Sequence, residues 1–298
     1  MDMTIDQVRA MLLADRSDPD APEASVEEMR QGMETFTKML PVLDTAKIEP
    51  IELGGVRGEK ITPAATDETR AILYFHGGGY VLGSPATHRS LVALLADAAG
   101  CPVWSMDYRL APEHPFPAAI EDGMASYAAL LEKGFDPSRV IIGGDSAGGG
   151  TTLATALMAK DKGLPVAAGL MMLSPWVDLT QSGRSYESQA ERDPMVRKQG
   201  LDRMAGIYLN GSDPHHRYAS PAFSDLSGLP PMLIQVGPDE VLYSDAVTLV
   251  ERAGLAQVSV TLEAWPEMFH VFQMFHPMLA DARRAIQRLG GWARLQTS

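Results

Sequence analysis

The chain has 298 residues, of which 45% are hydrophobic and 21% charged, a composition typical of a globular protein with a sizeable core. Its 38 acidic and 25 basic side chains give a formal net charge of −13, which nucleic-acid phosphates and anionic membranes would repel. Cys101 is the single cysteine, which excludes an intrachain disulfide and a multi-cysteine metal site. We therefore expect a cytoplasmic protein with no nucleic-acid or membrane partner.

The N-terminal region carries two amphipathic helical patterns, at residues 5–13 and 26–40, and Pro41 ends the second. Between them the sequence SDPDAPEAS, residues 17–25, favours a loop. The first residues are acidic where a secretory signal would be basic. The chain also lacks the run of about 18 apolar residues that a transmembrane helix needs.

From residue 71 onward, short apolar strand patterns alternate with helical patterns of about 10 to 15 residues. The alternation is typical of βαβ units, and it predicts an α/β fold with a mostly parallel sheet. Functional residues of such sheets lie at the carboxyl ends of the strands. The predicted strands are 71–75, 102–106, 139–143, 169–173, 231–236 and 258–262, and the predicted helices are 88–99, 118–132, 148–160, 244–253 and 278–289.

One segment interrupts this alternation. Residues 178–222 are polar and show no strand pattern, but residues 196–210 favour a helix. We interpret 178–222 as an insertion that lies over the sheet and, together with the N-terminal helices of residues 1–44, forms a cap. The catalytic domain would then comprise residues 45–177 and 223–298.

Ser146 lies in the sequence GDSAG, residues 144–148, which fits the pattern G-x-S-x-G. An apolar strand pattern precedes the motif and a helical pattern follows it, the context in which such a serine occupies a sharp strand-to-helix turn. Bulky residues in place of the two glycines would clash with the strand and the helix. A dinucleotide-binding loop would instead place G-x-G-x-x-G after the first strand. The motif therefore predicts that Ser146 is a nucleophile.

The sequence HGGGY, residues 76–80, directly follows the first of these predicted strands. Consecutive glycines let backbone amides approach a ligand without an intervening Cβ. Amides aimed at the oxyanion of acyl transfer lower the barrier by about 3–4 kcal/mol per donor. We expect the amides of Gly78, Gly79 and Ala147 to form an oxyanion hole.

Three motifs occur in a distinctive order: HGGGY at 76–80, DYRLAPEHPFPAA at 107–119 and GDSAGGG at 144–150. In this order the chain resembles the hormone-sensitive-lipase-like esterases, and also plant carboxylesterases, from about residue 60 to its C-terminus. The resemblance implies an α/β-hydrolase fold, with a mostly parallel central sheet flanked by helices and a helical cap. It further implies a Ser–acid–His triad and neither a metal nor an organic cofactor.

The order serine, acid, histidine places the base in a loop after the last strand. His270 follows the predicted strand 258–262, as the family's histidine does, whereas His276 lies six residues later where the final helix is expected to begin. His215 and His216 fall in the proposed insertion, where a solvated position is expected. We therefore predict His270 as the base.

The acid should follow the predicted strand 231–236, where residues 238–245 read PDEVLYSD. The resembled family has D-P-L-x-D here with the first aspartate catalytic, and this chain departs from that pattern. Placing Leu242 at the family's leucine puts Glu240 in the catalytic position, with Asp239 and then Asp245 as alternatives. Either type of carboxylate can orient an imidazole and stabilise its cation.

These features predict a carboxylesterase that hydrolyses small-molecule esters with short- to medium-length acyl chains. Two alternatives remain: a non-catalytic small-molecule binding protein on the same fold, and an amidase, lactonase or deacetylase that uses the same site. Most methionines of the predicted cap should pack in its core, where they could adapt to acyl chains; they are Met29, Met33, Met39, Met195 and Met204. A homodimer through the edge of the last strand is compatible with the fold, but no residue pattern indicates it.

Overall fold

The computed structural model describes residues 2–14 and 24–298, so residues 17–23 of the predicted loop lie outside the described part. Within that part, eight strands form one sheet. The strands are β1 Lys47–Leu53, β2 Val56–Thr62, β3 Ala71–Phe75, β4 Val103–Met106, β5 Val140–Asp145, β6 Gly169–Leu173, β7 Met232–Val236 and β8 Val260–Ala264. They lie in the order β1-β2-β4-β3-β5-β6-β7-β8.

The sheet is parallel from β4 to β8, and β2 joins it antiparallel to β4, with β1 antiparallel to β2. In the parallel part, Phe75 pairs with Gly144, Gly144 with Met172, and Leu173 with Gln235. Each of these residues is the last or last but one of its strand, so the loops that follow β3, β5, β6 and β7 leave the same edge of the sheet. This shared edge brings the predicted functional residues together.

Helices cover both faces of the sheet. They are α1 Ile5–Ala14, α2 Val26–Thr37, α3 Pro85–Ala99, α4 Ala118–Glu132, α5 Ala147–Asp161, α6 Ser185–Ser188, α7 Lys198–Leu209, α8 Tyr243–Leu255 and α9 Ala280–Gln296. Side chains of α3 and α9 belong to one apolar core, and those of α4, α5 and α8 belong to the other. Successive strand residues alternate between the cores: Ile141 lies in the first and Ile142 in the second. Burial on both faces explains the uninterrupted apolar runs in the central strands.

The hairpin of β1 and β2 was not predicted from the sequence. β1 is largely exposed, and charged side chains interrupt both strands. Gly54 and Gly55 form the turn between them, both with positive φ. A solvent-facing edge hairpin lacks the apolar run by which the buried strands were recognised.

Several helices differ in extent from their predictions: α2 ends at Thr37 rather than at residue 40, and the reasons for the difference are clear at α3 and α9. α3 begins at Pro85 rather than at residue 88, because the Ser84 side chain caps the Thr87 amide and proline occupies the first turn. α9 continues to Gln296, past the predicted end at residue 289, despite the pair Gly290-Gly291. Its buried residues pack against α3, and tertiary packing outweighs the low helix propensity of glycine.

Residues 178–222 contain α6, α7 and the start of a short 3₁₀ helix, Pro221–Phe223, and no strand. In the residues described, no helix combines the length and apolarity needed to cross a membrane. Of the five methionines singled out above, Met29, Met33 and Met204 pack against the apolar core. Met39 and Met195 are exposed, so core packing holds for most of the five, as expected, but not for these two.

Candidate active site

Ser146 occupies the turn between β5 and α5, with φ 53° and ψ −120°, a strained conformation for a residue other than glycine. Its amide donates to the Leu173 carbonyl (2.9 Å), and its own carbonyl accepts from the Trp176 amide (2.9 Å). The turn fits only because its glycines are small: a Cβ on Gly148 would lie 2.0 Å from the Phe75 carbonyl oxygen. The backbone therefore fixes the Ser146 side chain at the carboxyl edge of the sheet.

Glu240 and His270 lie side by side in the loops after β7 and β8. His270 Nδ1 is 3.1 Å from Glu240 Oε2. The other carboxylate oxygen, Oε1, accepts from the Gly237 amide (2.6 Å) and the Ser174 hydroxyl (2.8 Å). Glu240 is fully buried, and these bonds compensate for the loss of water around its carboxylate. The carboxylate can therefore hold the imidazole in one orientation.

Ser174 connects the two halves of this site, and sequence reasoning missed it. It follows β6 and has a positive φ of 46°. Its hydroxyl donates to Glu240 and accepts from the Val271 amide (3.0 Å), next to His270. The residue before it, Leu173, accepts a hydrogen bond from the Ser146 amide through its carbonyl oxygen. Its place directly after a buried strand, at the functional edge, is the signal that could have identified it.

These contacts place Ser146 and His270 at the same edge, although no hydrogen bond joins Ser146 Oγ to His270 Nε2 among the residues described. Catalytic hydrogen bonds are often long in free enzymes and tighten when substrate binds. Both side chains are nearly buried, so a substrate that reaches them is largely removed from water.

The alternative acids bond elsewhere. Asp239 pairs with Arg9 and with Arg192. Asp245 is buried in α8 and accepts from the amides of Val177 and Asp178 (both 3.0 Å) and from the Tyr186 hydroxyl (2.9 Å). Asp245 therefore anchors the start of the 178–222 segment to α8.

The remaining histidines are also apart from Glu240. His276 Nε2 bonds the Ser90 hydroxyl (2.8 Å), and burial lowers the pKa of His276 to about 4. His215 and His216 are exposed. Only His270, among the described histidines, contacts the Glu240 carboxylate.

The loop after β3 presents two backbone amides beside the serine turn. Gly78 and Gly79 have φ of 118° and 63°, and neither amide has an acceptor within the described chain. Ala147 is the first residue of α5, so its amide has no partner inside the helix. Unpaired amides at a helix N-terminus and a glycine loop suit a negatively charged oxygen.

Asp145, next to the serine, ties this glycine loop to the serine turn, a role that sequence reasoning missed. Its Oδ1 accepts from the Tyr74 hydroxyl (2.8 Å) and the Gly77 amide (3.1 Å), and its Oδ2 lies 3.3 Å from His88 Nε2. Burial opposes the charge of Asp145, but His88 and these hydrogen bonds hold its pKa below the ordinary value. The carboxylate thus fixes the glycine loop relative to Ser146.

The electrostatics of the Glu240–His270 pair favour a basic imidazole. Burial opposes a charge on His270, yet the hydrogen bond and negative charge of Glu240 raise the pKa of His270 above its ordinary value. The charges of Asp193 and Asp145 act in the same direction. Burial raises the pKa of Glu240, and the bond to His270 counteracts part of that rise.

The sequence predicts His270 as the base, and a base must be neutral to accept a proton, so we expect activity to fall as the pH drops through the pKa of His270. Because that pKa is raised, the acidic limb of kcat/KM should lie above about 6.5, the ordinary value for histidine. Glu240→Gln removes the charge that raises the pKa of His270, whereas burial, which lowers that pKa, is unchanged. The acidic limb of the variant's residual activity should therefore move to lower pH. The pH dependence of p-nitrophenyl acetate hydrolysis measures the acidic limb in the wild type and in the variant. An unmoved limb in Glu240→Gln would contradict the contact, and Asp239→Asn, which keeps the Glu240 carboxylate, should move the limb far less.

Comparison with known proteins agrees with this architecture. A family model described as alpha/beta hydrolase fold matches residues 72–274. An acetyl-hydrolase of Streptomyces hygroscopicus is 47% identical over 247 residues, 83% of this chain and 82% of the relative. An esterase of Acinetobacter venetianus is 37% identical over 89% of this chain and 88% of its own.

Solved structures of esterases are also similar to this chain in sequence and in fold. An esterase from the bacterial hormone-sensitive lipase family superposes with a TM-score of 0.95 at 41% identity, with both chains covered completely. The esterase EstE5, soaked with p-nitrophenyl butyrate, gives 0.95 at 44% identity over 98% of each chain. The chain thus belongs to the α/β hydrolases. Within that class it is an esterase of the hormone-sensitive-lipase-like family, a carboxylic ester hydrolase.

Proposed function

We propose that Ser146, His270 and Glu240 form the catalytic triad of an esterase that acts on short- to medium-chain acyl esters. The observation that carries the assignment is the contact between Glu240 Oε2 and His270 Nδ1 at 3.1 Å, at the edge of the sheet where Ser146 occupies its strained turn. The relatives named acetyl-hydrolase and the structure soaked with p-nitrophenyl butyrate support short acyl groups.

In this mechanism, Ser146 Oγ attacks the ester carbonyl carbon while His270 Nε2 accepts its proton. The imidazolium that forms is stabilised by Glu240 through Nδ1. The carbonyl oxygen becomes negative, and the amides of Gly78, Gly79 and Ala147 donate to it. His270 then protonates the departing alkoxide, which leaves as the alcohol. Water, deprotonated by His270, hydrolyses the acyl-enzyme and regenerates Ser146.

We also propose that α1, α2 and residues 178–222 form a cap over this site. Arg203 donates to the Ala24 carbonyl (2.7 Å), and Arg9 donates to the Arg192 carbonyl (3.1 Å), so the N-terminal segment and the insertion are bonded to each other. Arg30 of α2 donates to the carbonyls of Val81 and Ala111 near the glycine loop. The cap would exclude water and provide the apolar wall that an acyl chain needs.

Met204 of α7 lies against Gly79 of the glycine loop. A Cβ on Gly79 would lie 2.1 Å from Met204 Sδ, so the thioether occupies the space beside Gly79 that a side chain there would fill. Met204→Ala should enlarge this space and raise the kcat/KM ratio of octanoate to acetate esters by about 10-fold, the scale of one or two methylene groups in a pocket. The ratio should stay near wild type in Met204→Leu, which conserves volume, and in Met195→Ala, an exposed methionine of the same segment. Equal ratios in all three variants would show that Met204 does not limit chain length.

Hydrolysis of the p-nitrophenyl esters of acetate, butyrate, octanoate and palmitate tests the proposed substrate range. We expect the short esters to be cleaved fastest and palmitate slowest. A matched p-nitroanilide would separate an esterase from an amidase on the same site. A folded enzyme that cleaves none of the four esters would favour the binding-protein alternative.

A cytoplasmic location and a homodimer remain proposals. β8 is the last strand of the sheet as described, and an uncovered strand edge can pair with another chain. Light scattering of the purified protein would show whether it is a monomer or a dimer.

A further inference from the structure

One arginine of the N-terminal helix bonds three separate loops around the proposed triad. Arg9 Nη1 donates to the Arg192 carbonyl (3.1 Å), and Nη2 donates to the Glu267 carbonyl (2.6 Å) and forms an ion pair with the Asp239 carboxylate. The side chains of Arg9 and Asp239 are 19% and 9% exposed. Arg9 is therefore a largely buried bridge and not a solvated surface charge.

Each of these acceptors lies within three residues of Glu240, His270 or Asp193. Asp239 directly precedes Glu240, and Glu267, which has a positive φ of 64°, is three residues before His270. Arg192 precedes Asp193, whose Oδ2 accepts from the Val241 amide (3.0 Å) on the other side of Glu240. The arginine thus connects the insertion, the acid loop and the histidine loop.

The acid and histidine loops already touch at their start, where the Trp265 amide donates to the Val236 carbonyl (2.9 Å). Arg9 joins them again farther along. A guanidinium is suited to this position because it is planar and offers five donors in fixed directions, whereas an ammonium is a single point charge. Asp239 has a second partner in Arg192, but the Arg192 side chain is 65% exposed and water weakens that pair.

We infer that Arg9 is a positioning residue for the hydrolysis reaction: it holds the acid loop and the histidine loop at the separation at which Glu240 bonds His270. The inference rests on the triad assignment under the proposed function. It also gives α1, which precedes the residues matched by the family model, a part in the reaction in addition to covering the site.

Arg9→Gln should lower kcat for p-nitrophenyl acetate by about 10- to 100-fold, the cost of a small misplacement of catalytic groups, and should change KM far less. Arg9→Lys should restore only part of the loss, because one ammonium cannot reach all three acceptors. In Arg9→Ala, guanidinium ion at concentrations well below those that denature should restore activity that sodium chloride does not. Arg288→Gln, which breaks a remote surface pair with Glu263, should leave kcat unchanged.

The combination with Glu240→Gln separates positioning from simple stabilisation of the fold. When the Glu240 carboxylate is absent, there is no longer a carboxylate–imidazole contact to align, so adding Arg9→Gln should lower kcat by less than threefold. A merely structural Arg9 would lower the melting temperature in both backgrounds and leave kcat at wild-type values well below that temperature. That result would overturn the inference.

The triad assignment and the role of Arg9 can be refuted independently. If Ser146→Ala keeps full activity, the proposed function is wrong whatever Arg9 does. If Ser146→Ala and Glu240→Gln lose activity as expected but folded Arg9→Gln has a normal kcat, only the role of Arg9 is wrong.

Discussion

Replacing Ser146 with alanine should lower kcat for p-nitrophenyl acetate by about 10⁵- to 10⁶-fold, the loss seen when a serine nucleophile is removed from such a triad. The substitution removes the attacking oxygen and leaves the amides of Gly78, Gly79 and Ala147 in place. Because the proposed oxyanion hole would still favour a negative oxygen, we expect slow hydrolysis by water to remain above the uncatalysed rate. Purified variants assayed at saturating substrate, with circular dichroism to confirm folding, measure the loss.

Ser105 provides the matched control. It lies in β4, is fully buried, and its hydroxyl has no hydrogen-bond partner in the part of the chain that the structure describes. Ser105→Ala should therefore keep both activity and stability. Phenylmethylsulfonyl fluoride should modify the peptide that contains Ser146 in the wild type and in Ser105→Ala, and mass spectrometry identifies the site. Modification of another serine, together with full activity in Ser146→Ala, would show that Ser146 is not the nucleophile.

The fold was predictable where burial leaves a clear record in the sequence. β3, β5 and β6 were located to within two residues because central parallel strands are apolar on both faces. β8 was placed two residues early, since Val258 is as apolar as the strand itself but precedes it. The β1–β2 hairpin is not predicted from the sequence, because one face of an edge hairpin is in contact with water. Charged residues therefore alternate with apolar ones in its strands. Local pattern therefore predicts the centre of this sheet better than its edge.

The candidate site also has residues that the sequence predicts and residues that only the folded structure reveals. Ser146 and the glycine loop are identified by motifs, because a sharp turn and an exposed amide each demand particular residues at a fixed spacing. Asp145 lies inside a motif, but its bonds to Tyr74 and His88 appear only in the folded sheet. Contacts between residues distant in sequence leave no local pattern.

Ser174, Met204 and Arg9 belong to this second group. Ser174 meets Glu240 across 66 residues, and Arg9 meets Glu267 across 258. Nothing in the periodicity of α1 separates Arg9 from an arginine on a solvated helix face. Arg9 connects α1 to the loops that carry Glu240 and His270, and Ser174 connects those two loops to each other, although neither residue belongs to a motif.

For the acid of the proposed triad, the sequence leaves alternatives open, and the neighbouring carboxylates of Asp239 and Glu240 allow a direct test. Glu240→Gln should lower kcat by about 10⁴-fold, because the amide cannot stabilise the imidazolium and favours the wrong tautomer of His270. Asp239→Asn keeps the Glu240–His270 contact and loses only the charge that pairs with Arg9 and Arg192. Its loss should be about 10-fold, the scale of a small displacement.

The two substitutions are well matched, since each replaces one carboxylate oxygen by an amide nitrogen at adjacent positions. A loss in Asp239→Asn that equals or exceeds the loss in Glu240→Gln would move the acid to Asp239 and require a different arrangement of the loop when substrate is bound. The ranking expected here has a simple physical origin. Both carboxylates are buried, but one faces the imidazole whose charge rises during the reaction, and the other faces guanidinium groups whose charge is constant. Only the first can stabilise the transition state more than the ground state, and only that difference accelerates the reaction.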